Sequence, residues 1–144
     1  MKYAMLQIKS DESLGPRGLE RTLLTNIVRE LARKGIPSNA IKGANICLFT
    51  HCKIDHSRIV LGVMAGTRAS PSTVKCSIHL GIYKPLWRKV FARVFHGGQC
   101  DEEILATASR LVTEILTADP RIQDIVWGTK EDFLSWFQGD IPEA

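Results

Sequence analysis

The chain has 144 residues, of which 44% are hydrophobic and 24% are charged, and its formal net charge at pH 7 is +4. This composition is that of a globular domain, which excludes a disordered, fibrous or collagen-like protein. The sequence has no apolar run of ~18 residues, and its first dozen residues turn polar too early for a secretory signal. We therefore expect a single domain over residues 1–144, cytoplasmic and without membrane insertion.

A strand and a long amphipathic helix are predicted first along the chain. Residues 3–8 form a short apolar run, and Gly15-Pro16 marks a helix start because proline is favoured in the first helical turn. The helix extends to about Lys34, and Gly35 followed by Pro37 predicts its end. Its apolar residues keep helical spacing. They are Leu19, Leu23, Leu24, Ile27, Val28 and Leu31.

A meander of three strands is predicted next. Residues 45–51 and 58–66 are apolar on both faces, which is typical of central strands, and the polar residues 52–56 between them predict a hairpin connection. A loop over residues 67–72 leads to residues 73–83, where apolar and polar residues alternate. This alternation predicts a third strand with one face in solvent.

The second half of the chain is predicted to be mainly helical. Residues 86–95 combine apolar residues at helical spacing with interspersed arginine and lysine, which indicates a basic amphipathic helix. Acidic residues at 101–103 suit the start of the next helix, which ends at Asp119-Pro120. A short strand at 122–127 follows. Thr129 and Asp132 are then predicted to cap a terminal helix, on which Trp136 lies off the line of Leu134 and Phe137 and is expected to be exposed.

The predicted order of elements is β-α-β-β-β-α-α-β-α. An antiparallel sheet of three to five strands with the helices packed mainly on one face is the simplest way to bury these apolar surfaces. The sequence therefore predicts an α+β fold.

The same order of elements resembles the front half of a GNAT-type acetyltransferase. In that family a loop of the form Q/R-x-x-G-x-G/A presents backbone N–H groups to the pyrophosphate of coenzyme A. The corresponding stretch here, KPLWRKVFARVFHGG, has its glycines only at positions 97 and 98. This departure removes the phosphate cradle. The resemblance implies an acyltransferase as one alternative function, but we expect no cofactor.

Pairs of cysteine and histidine residues raise the question of a zinc site. Cys52 with His56, and His96 with Cys100, are separated so that each pair is able to chelate across a turn or loop. The spacing of known zinc ribbons is absent, so we predict no metal site and keep these four residues as weak candidates. The alternative interpretation is that the cysteines are free thiols, with Cys47 and Cys76 in the core, and that the histidines lie at the surface or in loops.

Catalytic signatures are also missing. The sequence contains no GxSxG, GxxxxGK[ST], GxGxxG or HExxH motif, so hydrolase, P-loop, dinucleotide-binding and zincin functions have no support. We therefore predict no catalytic residues.

Charge is the most informative feature of the sequence. Residues 1–100 contain 16 Lys and Arg against 5 Asp and Glu, a net charge of +11, whereas residues 101–144 contain 3 against 10, a net charge of −7. This division predicts opposite fields at two parts of the surface, and each suits a different partner.

Two binding functions compete for this charge pattern. The acidic part suits a non-catalytic domain that docks a basic protein, as bacterial immunity proteins, inhibitors and chaperones do. Its predicted docking residues are Glu102, Glu103, Asp124, Glu131, Asp132 and Trp136. The basic helices suit nucleic acid as the alternative partner. The residues predicted for that function are Arg29, Arg33, Arg88, Lys89 and Arg93. Attraction between the two parts also allows a homo-oligomer.

Overall fold

The computed structural model describes residues 1–10, 15–44, 47–54, 56–83 and 98–138. The strands are β1 (Lys2–Lys9), β2 (Lys42–Gly43), β3 (Leu48–Ile54), β4 (Ser57–Ser70), β5 (Thr73–Ile82) and β6 (Ile122–Gly128). The helices are α1 (Pro16–Arg33), α2 (Gly98–Thr117) and α3 (Lys130–Gln138). Within these ranges, six antiparallel strands form one sheet in the order β2-β3-β4-β5-β1-β6.

The predicted α+β class is confirmed, but the prediction of three to five strands is wrong. The additional strand is β2, which pairs with β3 through Lys42 and Gly43. Two residues are too few to produce a periodic pattern, so this strand could not be predicted from spacing. The predicted basic helix over residues 86–95 lies outside the described residues.

The long β4–β5 hairpin also differs from prediction. Strand β4 continues to Ser70, so the connection to β5 is only Pro71 and Ser72 rather than a loop over residues 67–72. The extension is irregular, with register shifts on both sides of Arg68. The guanidinium of Arg68 donates to the carbonyl oxygens of Ser10 and Pro71, both at 3.1 Å. These contacts tie the end of the hairpin to the end of β1.

Helices α1 and α2 cover one face of the sheet, which we call the main face. Alternate strand residues point into it, as the two-residue period of a strand requires. The contributions of β1 and β4, for example, are Ala4, Leu6, Ile8, Ile59, Leu61 and Val63. The predicted apolar stripe of α1 is confirmed, because five of its six residues are buried in this core. The main face therefore contains the principal hydrophobic core of the described residues.

Helix α3 packs on the opposite face, which we call the second face. There Phe133 stacks on Tyr3 with ring centroids 5.0 Å apart and an angle of 10° between the ring planes. Met5 and Met64 complete a small buried cluster with these two rings. The expectation that helices lie mainly on one face thus holds for α1 and α2, and α3 is the exception. The reason is that β1 is apolar on both sides, so its second side also needs cover.

The start of α3 is capped as predicted. Asp132 accepts hydrogen bonds from the backbone N–H of Thr129 at 2.9 Å and from its hydroxyl at 3.0 Å. The Asp132 backbone N–H donates to the Thr129 hydroxyl at 3.3 Å. This reciprocal arrangement is a capping box in which aspartate replaces the usual glutamate. It fixes the direction in which the chain leaves β6.

Strand β6 forms one edge of the sheet and carries an irregularity. Its register with β1 shifts between Met5 and Gln7, and Asp124 opposite this shift has a φ of 56°. Such a bulge bends an edge strand and interrupts the row of unpaired backbone groups along it. None of the helices in the described ranges is long and apolar enough to cross a membrane.

The packing of α3 predicts a contrast between two adjacent side chains. Phe133 is 8% exposed and Leu134 is 41% exposed. Phe133→Ala should lower the free energy of unfolding by about 3 kcal/mol, because it removes a buried ring and leaves a cavity. Leu134→Ala should change it by less than about 0.5 kcal/mol. Urea unfolding followed by circular dichroism measures both, and equal losses would contradict the assignment of α3 to the second face.

Candidate functional sites

The cysteine and histidine candidates do not assemble into a metal centre within the described residues. Cys52 points into the main-face core and is 4% exposed, and burial raises the pKa of its thiol to about 11. His56 lies in the β3–β4 turn, exposed and with a φ of 66°. No group of three potential ligands is found in the described part of the chain. His96 and the side chain of Cys100 lie outside it.

Cys47 and Cys76 are also free thiols, as predicted, and one histidine, His79, is partly buried. Cys76 is fully buried in the main-face core, and burial, with a smaller effect from Glu20, raises its pKa to about 12. Cys47 is only partly buried. A raised pKa keeps a thiol protonated and therefore unreactive. His79, three residues from Cys76, points to the second face, where it is enclosed by aromatic rings.

His79 lies in a largely apolar enclosure beneath α3. Its ring centroid is 4.8 Å from that of Tyr3 and 5.1 Å from that of Phe133, both in edge-to-face geometry. Nε2 of His79 is 2.8 Å from Oγ of Ser77, which is itself fully buried. Burial lowers the pKa of His79 to about 4, so the imidazole is neutral at pH 7. Because Ser77 is fully buried and His79 is neutral, we interpret this hydrogen-bonded pair as part of the packing beneath α3.

Glu20 is the buried carboxylic acid of α1. It is 3% exposed, and its Oε2 has no hydrogen-bond partner among the described residues. Its Oε1 lies 3.8 Å from the guanidinium of Arg17. Burial raises the pKa of Glu20 and outweighs the opposing effect of Arg17. Arg17 also donates to the backbone carbonyl of Ala44, so this pair connects α1 to the segment that follows β2.

An open groove of about 370 Å³ lies between α1 and the C-terminal end of α2. Its walls include Lys34 and Glu114, whose charged groups are 3.5 Å apart, and Asn26. An exposed ion pair of this kind contributes little to stability. The groove has no nucleophile paired with a base, so it adds no catalytic candidate.

The predicted acidic docking residues are divided between two faces. Glu102 and Glu103 are exposed on α2, on the main-face side, whereas Glu131 and Asp132 are exposed in the first turn of α3 on the second face. Asp124 is exposed in β6 between them. The structure therefore places Glu131 and Asp132 on one side of the sheet and the α2 pair on the other, with Asp124 on the strand between the two helices.

Trp136 is not the exposed aromatic residue that the sequence suggested. It is partly buried against the second-face cluster, and the ammonium of Lys75 lies 5.3 Å from its ring centroid. Phe133, Trp136 and Phe137 all face the sheet, because residues at i, i+3 and i+4 share one side of a helix. Leu134 is thereby left at the surface. The i, i+3, i+4 pattern was the signal that identifies the buried side.

Two apolar side chains, one in β6 and one in α3, are exposed, and the sequence patterns did not predict this. Val126 in β6 is 58% exposed and Leu134 in α3 is 41% exposed. Glu131 lies one helical turn before Leu134 on the same side of α3. We define the docking corner as Asp124, Val126, Glu131 and Leu134. These apolar and acidic side chains come from two consecutive elements, and neither Asp124 nor Glu131 forms an ion pair with a described residue.

The basic helices are described only in part. Arg29 and Arg33 are exposed on α1, but both lie close to Glu30, at 3.8 Å and 2.8 Å. Arg88, Lys89 and Arg93 lie outside the described residues, as does most of the stretch on which the acetyltransferase resemblance depends. Three of the five residues of the predicted basic surface therefore lie outside the described part of the chain.

Comparison with known proteins adds no family to these observations. The chain matches no protein-family model, no curated protein and no solved structure.

The enclosed His79 predicts that acid destabilises the protein. Because its pKa falls from 6.5 to about 4 on folding, the unfolded chain binds a proton that the folded chain does not between these values. Stability from this group is complete above pH 6.5 and should decline by about 3 kcal/mol as the pH falls to 4. His79→Phe should remove this decline.

Urea unfolding of the wild type and of His79→Phe, measured from pH 7 to pH 4, tests this prediction. The relevant quantity is the difference between the two curves, because the raised pKa of Glu20 acts in the opposite direction in both proteins. Two parallel curves would show that His79 is as readily protonated in the folded chain as in the unfolded one.

Proposed function

We propose that this protein is a non-catalytic domain that binds a basic protein partner through the docking corner, in the manner of an inhibitor, an immunity protein or a chaperone. The observation that carries the proposal is the pair of exposed apolar side chains, Val126 and Leu134, next to carboxylates that no described cation neutralises. Protein interfaces have this organisation, with apolar anchors at the centre and charged groups at the rim.

Electrostatics support a basic partner. Residues 101–144 have a net charge of −7, and Asp124 and Glu131 project from them into solvent. A concentrated negative field increases the rate at which a positively charged protein associates, and it opposes acidic competitors. Asp124 and Glu131 form no ion pair with a described lysine or arginine, so their charges remain available to a partner.

The rigidity of α3 also supports docking. Its first turn is fixed by the Thr129–Asp132 capping box, and its inner side is fixed by the stacking of Phe133 on Tyr3. Lys75 over the ring of Trp136 adds a cation–π contact. A surface that is already ordered loses little conformational entropy when it binds a partner.

Side chains rather than backbone groups are the binding elements of this proposal. The outer edge of β6 is unpaired among the described residues, but the bulge at Asp124 interrupts it. Such an interruption opposes the addition of a continuous strand from another chain. The partner is therefore expected to contact Val126 and Leu134 and to pair its cations with the two carboxylates.

Affinity capture with matched variants tests the proposal. The tagged protein is incubated with extract of its own cells after nuclease treatment, and a stoichiometric partner is identified by mass spectrometry and produced for titration. Leu134→Ala should weaken binding by about tenfold, because an apolar anchor is lost. Glu131→Lys should slow association and reduce its dependence on salt.

Glu102→Lys is the control for these variants. It makes the same change of charge on α2, on the other side of the sheet, and should leave the affinity for a compact partner unchanged. If Glu102→Lys weakens binding as much as Glu131→Lys does, net charge rather than the docking corner determines binding. A partner that disappears on nuclease treatment would contradict the proposal altogether.

A further inference from the structure

A row of three rings lies on the second face of the sheet, at the end away from α3. Phe49 and His51, on alternate positions of β3, have ring centroids 6.0 Å apart, and Tyr83 follows at 5.3 Å from His51. Tyr83 is 42% exposed, and the other two rings are partly exposed. The backbone N–H of Tyr83 donates to the carbonyl oxygen of Arg58 at 2.7 Å, and this hydrogen bond holds Tyr83 beside β4. The rings are therefore positioned by strand backbone rather than by a loop.

Three cations surround these rings. The guanidinium carbon of Arg58 lies 5.0 Å from the ring centroid of Tyr83. Lys42 is opposite Phe49 in the β2–β3 ladder, and Lys53 is opposite Arg58 in the β3–β4 ladder, so all of these side chains share the second face. None of the three cations forms an ion pair within the described part of the chain. We call these three cations and the three rings together the ring surface, which consists of Lys42, Phe49, His51, Lys53, Arg58 and Tyr83.

The field at the ring surface is positive. The pKa of His51 is lowered first by burial and then by the charges of Arg58 and Lys42. Among the described residues of β2, β3, β4 and β5 there is no aspartate or glutamate, and the other charged groups of these strands are Arg68 and Lys75. Between Glu30 and Asp101 the sequence contains one acidic residue, Asp55. The strands that build this surface therefore supply it with cations and hardly any carboxylates.

We propose that the ring surface binds single-stranded nucleic acid, with bases stacked on Phe49, His51 and Tyr83 and phosphates held by Lys42, Lys53 and Arg58. Open sheet faces that combine aromatic rings with cations offer both things that an unpaired strand requires, a π surface for each base and positive charge for its backbone. A duplex is not the expected ligand, because its bases already stack on one another. The proposal is independent of the docking corner, which lies at the other end of the sheet.

Charge complementarity favours nucleic acid over a protein as the ligand of the ring surface. An apolar partner would gain little from three cations that no described carboxylate neutralises, because their water would have to be removed. Nucleic acid instead releases counterions when its phosphates meet lysine and arginine, so each cation contributes to affinity. The predicted ligand contacts therefore lie on the sheet, and they differ from the helical arginines that the sequence favoured.

Fluorescence anisotropy of labelled oligonucleotides tests the proposal. The probes are oligothymidylate and oligouridylate of about 12 nucleotides, a length within the range that one small domain covers. Unlabelled duplex of the same length serves as competitor. Both single strands should bind, with an affinity that falls as salt rises, and the duplex should compete poorly.

Variants assign the binding to the ring surface. Tyr83→Ala should weaken binding by roughly tenfold, whereas Tyr83→Phe, which keeps the ring, should bind like the wild type. Phe49→Leu retains apolar packing and should also bind more weakly. Arg58→Ala should lower the affinity and reduce the slope of log affinity against log salt by about 0.7. Arg21→Ala, an exposed arginine of α1, is the matched control and should have no effect.

Several results would overturn the proposal. Absence of binding to either probe would do so, as would a duplex that competes as well as the single strands. Equal effects of Arg21→Ala and Arg58→Ala, with none from Tyr83→Ala, would indicate general attraction to a basic protein. Sedimentation of the wild type and of Tyr83→Ala gives a further check. If only the variant loses a dimer, the ring surface is a contact between two copies of the chain.

Discussion

The burial of β1 on both of its sides is the constraint on which the rest of the structure depends. Residues Ala4, Leu6 and Ile8 enter the main-face core, while Tyr3 and Met5 enter the second-face cluster. Within the sheet, β1 lies between β5 and β6 and pairs with both. Strand β6 pairs only with β1 among the described strands, and α3 packs on these two strands. The first strand of the chain therefore attaches the last two described elements to the fold.

This topology also separates the docking corner, which is acidic, from the ring surface, which is basic. The sheet order places β6, with the acidic elements that precede and follow it, at one end, and places β2, β3 and β4 at the other. Lys34 and Glu114 connect the basic and acidic parts, but they are exposed and contribute little. The carboxylates of the docking corner and the cations of the ring surface remain unpaired with each other. This separation is the basis on which we propose a different partner for each surface.

Periodicity predicted the elements that are long or one-sided. The stripe of α1 and the Thr129–Asp132 cap depend on local spacing, and the structure confirms them. The alternation in β5 predicted the strand, but the face expected in solvent is partly covered, since Ser77 is fully buried. Periodicity could not predict the face on which α3 packs, because that depends on which side of β1 is left uncovered by α1 and α2. The end of β4 was also missed. There, pairing with β5 and the contacts of Arg68 override weak strand propensity.

The candidate surfaces depend on the same distinction between local and tertiary information. Leu134 is exposed only because Phe133, Trp136 and Phe137 turn toward Tyr3, and Phe49 meets Tyr83 through His51 only in the assembled sheet.

Gly62 separates the two aromatic groups of the second face. A Cβ there would lie 3.7 Å from that of His79 and 3.8 Å from that of Phe49, both ordinary contacts. On one side of this position the rings are enclosed by α3 and keep His79 neutral; on the other they remain open to a ligand. Protonation of His79 would therefore weaken the attachment of α3, and with it the docking corner, while leaving the ring surface on its strands.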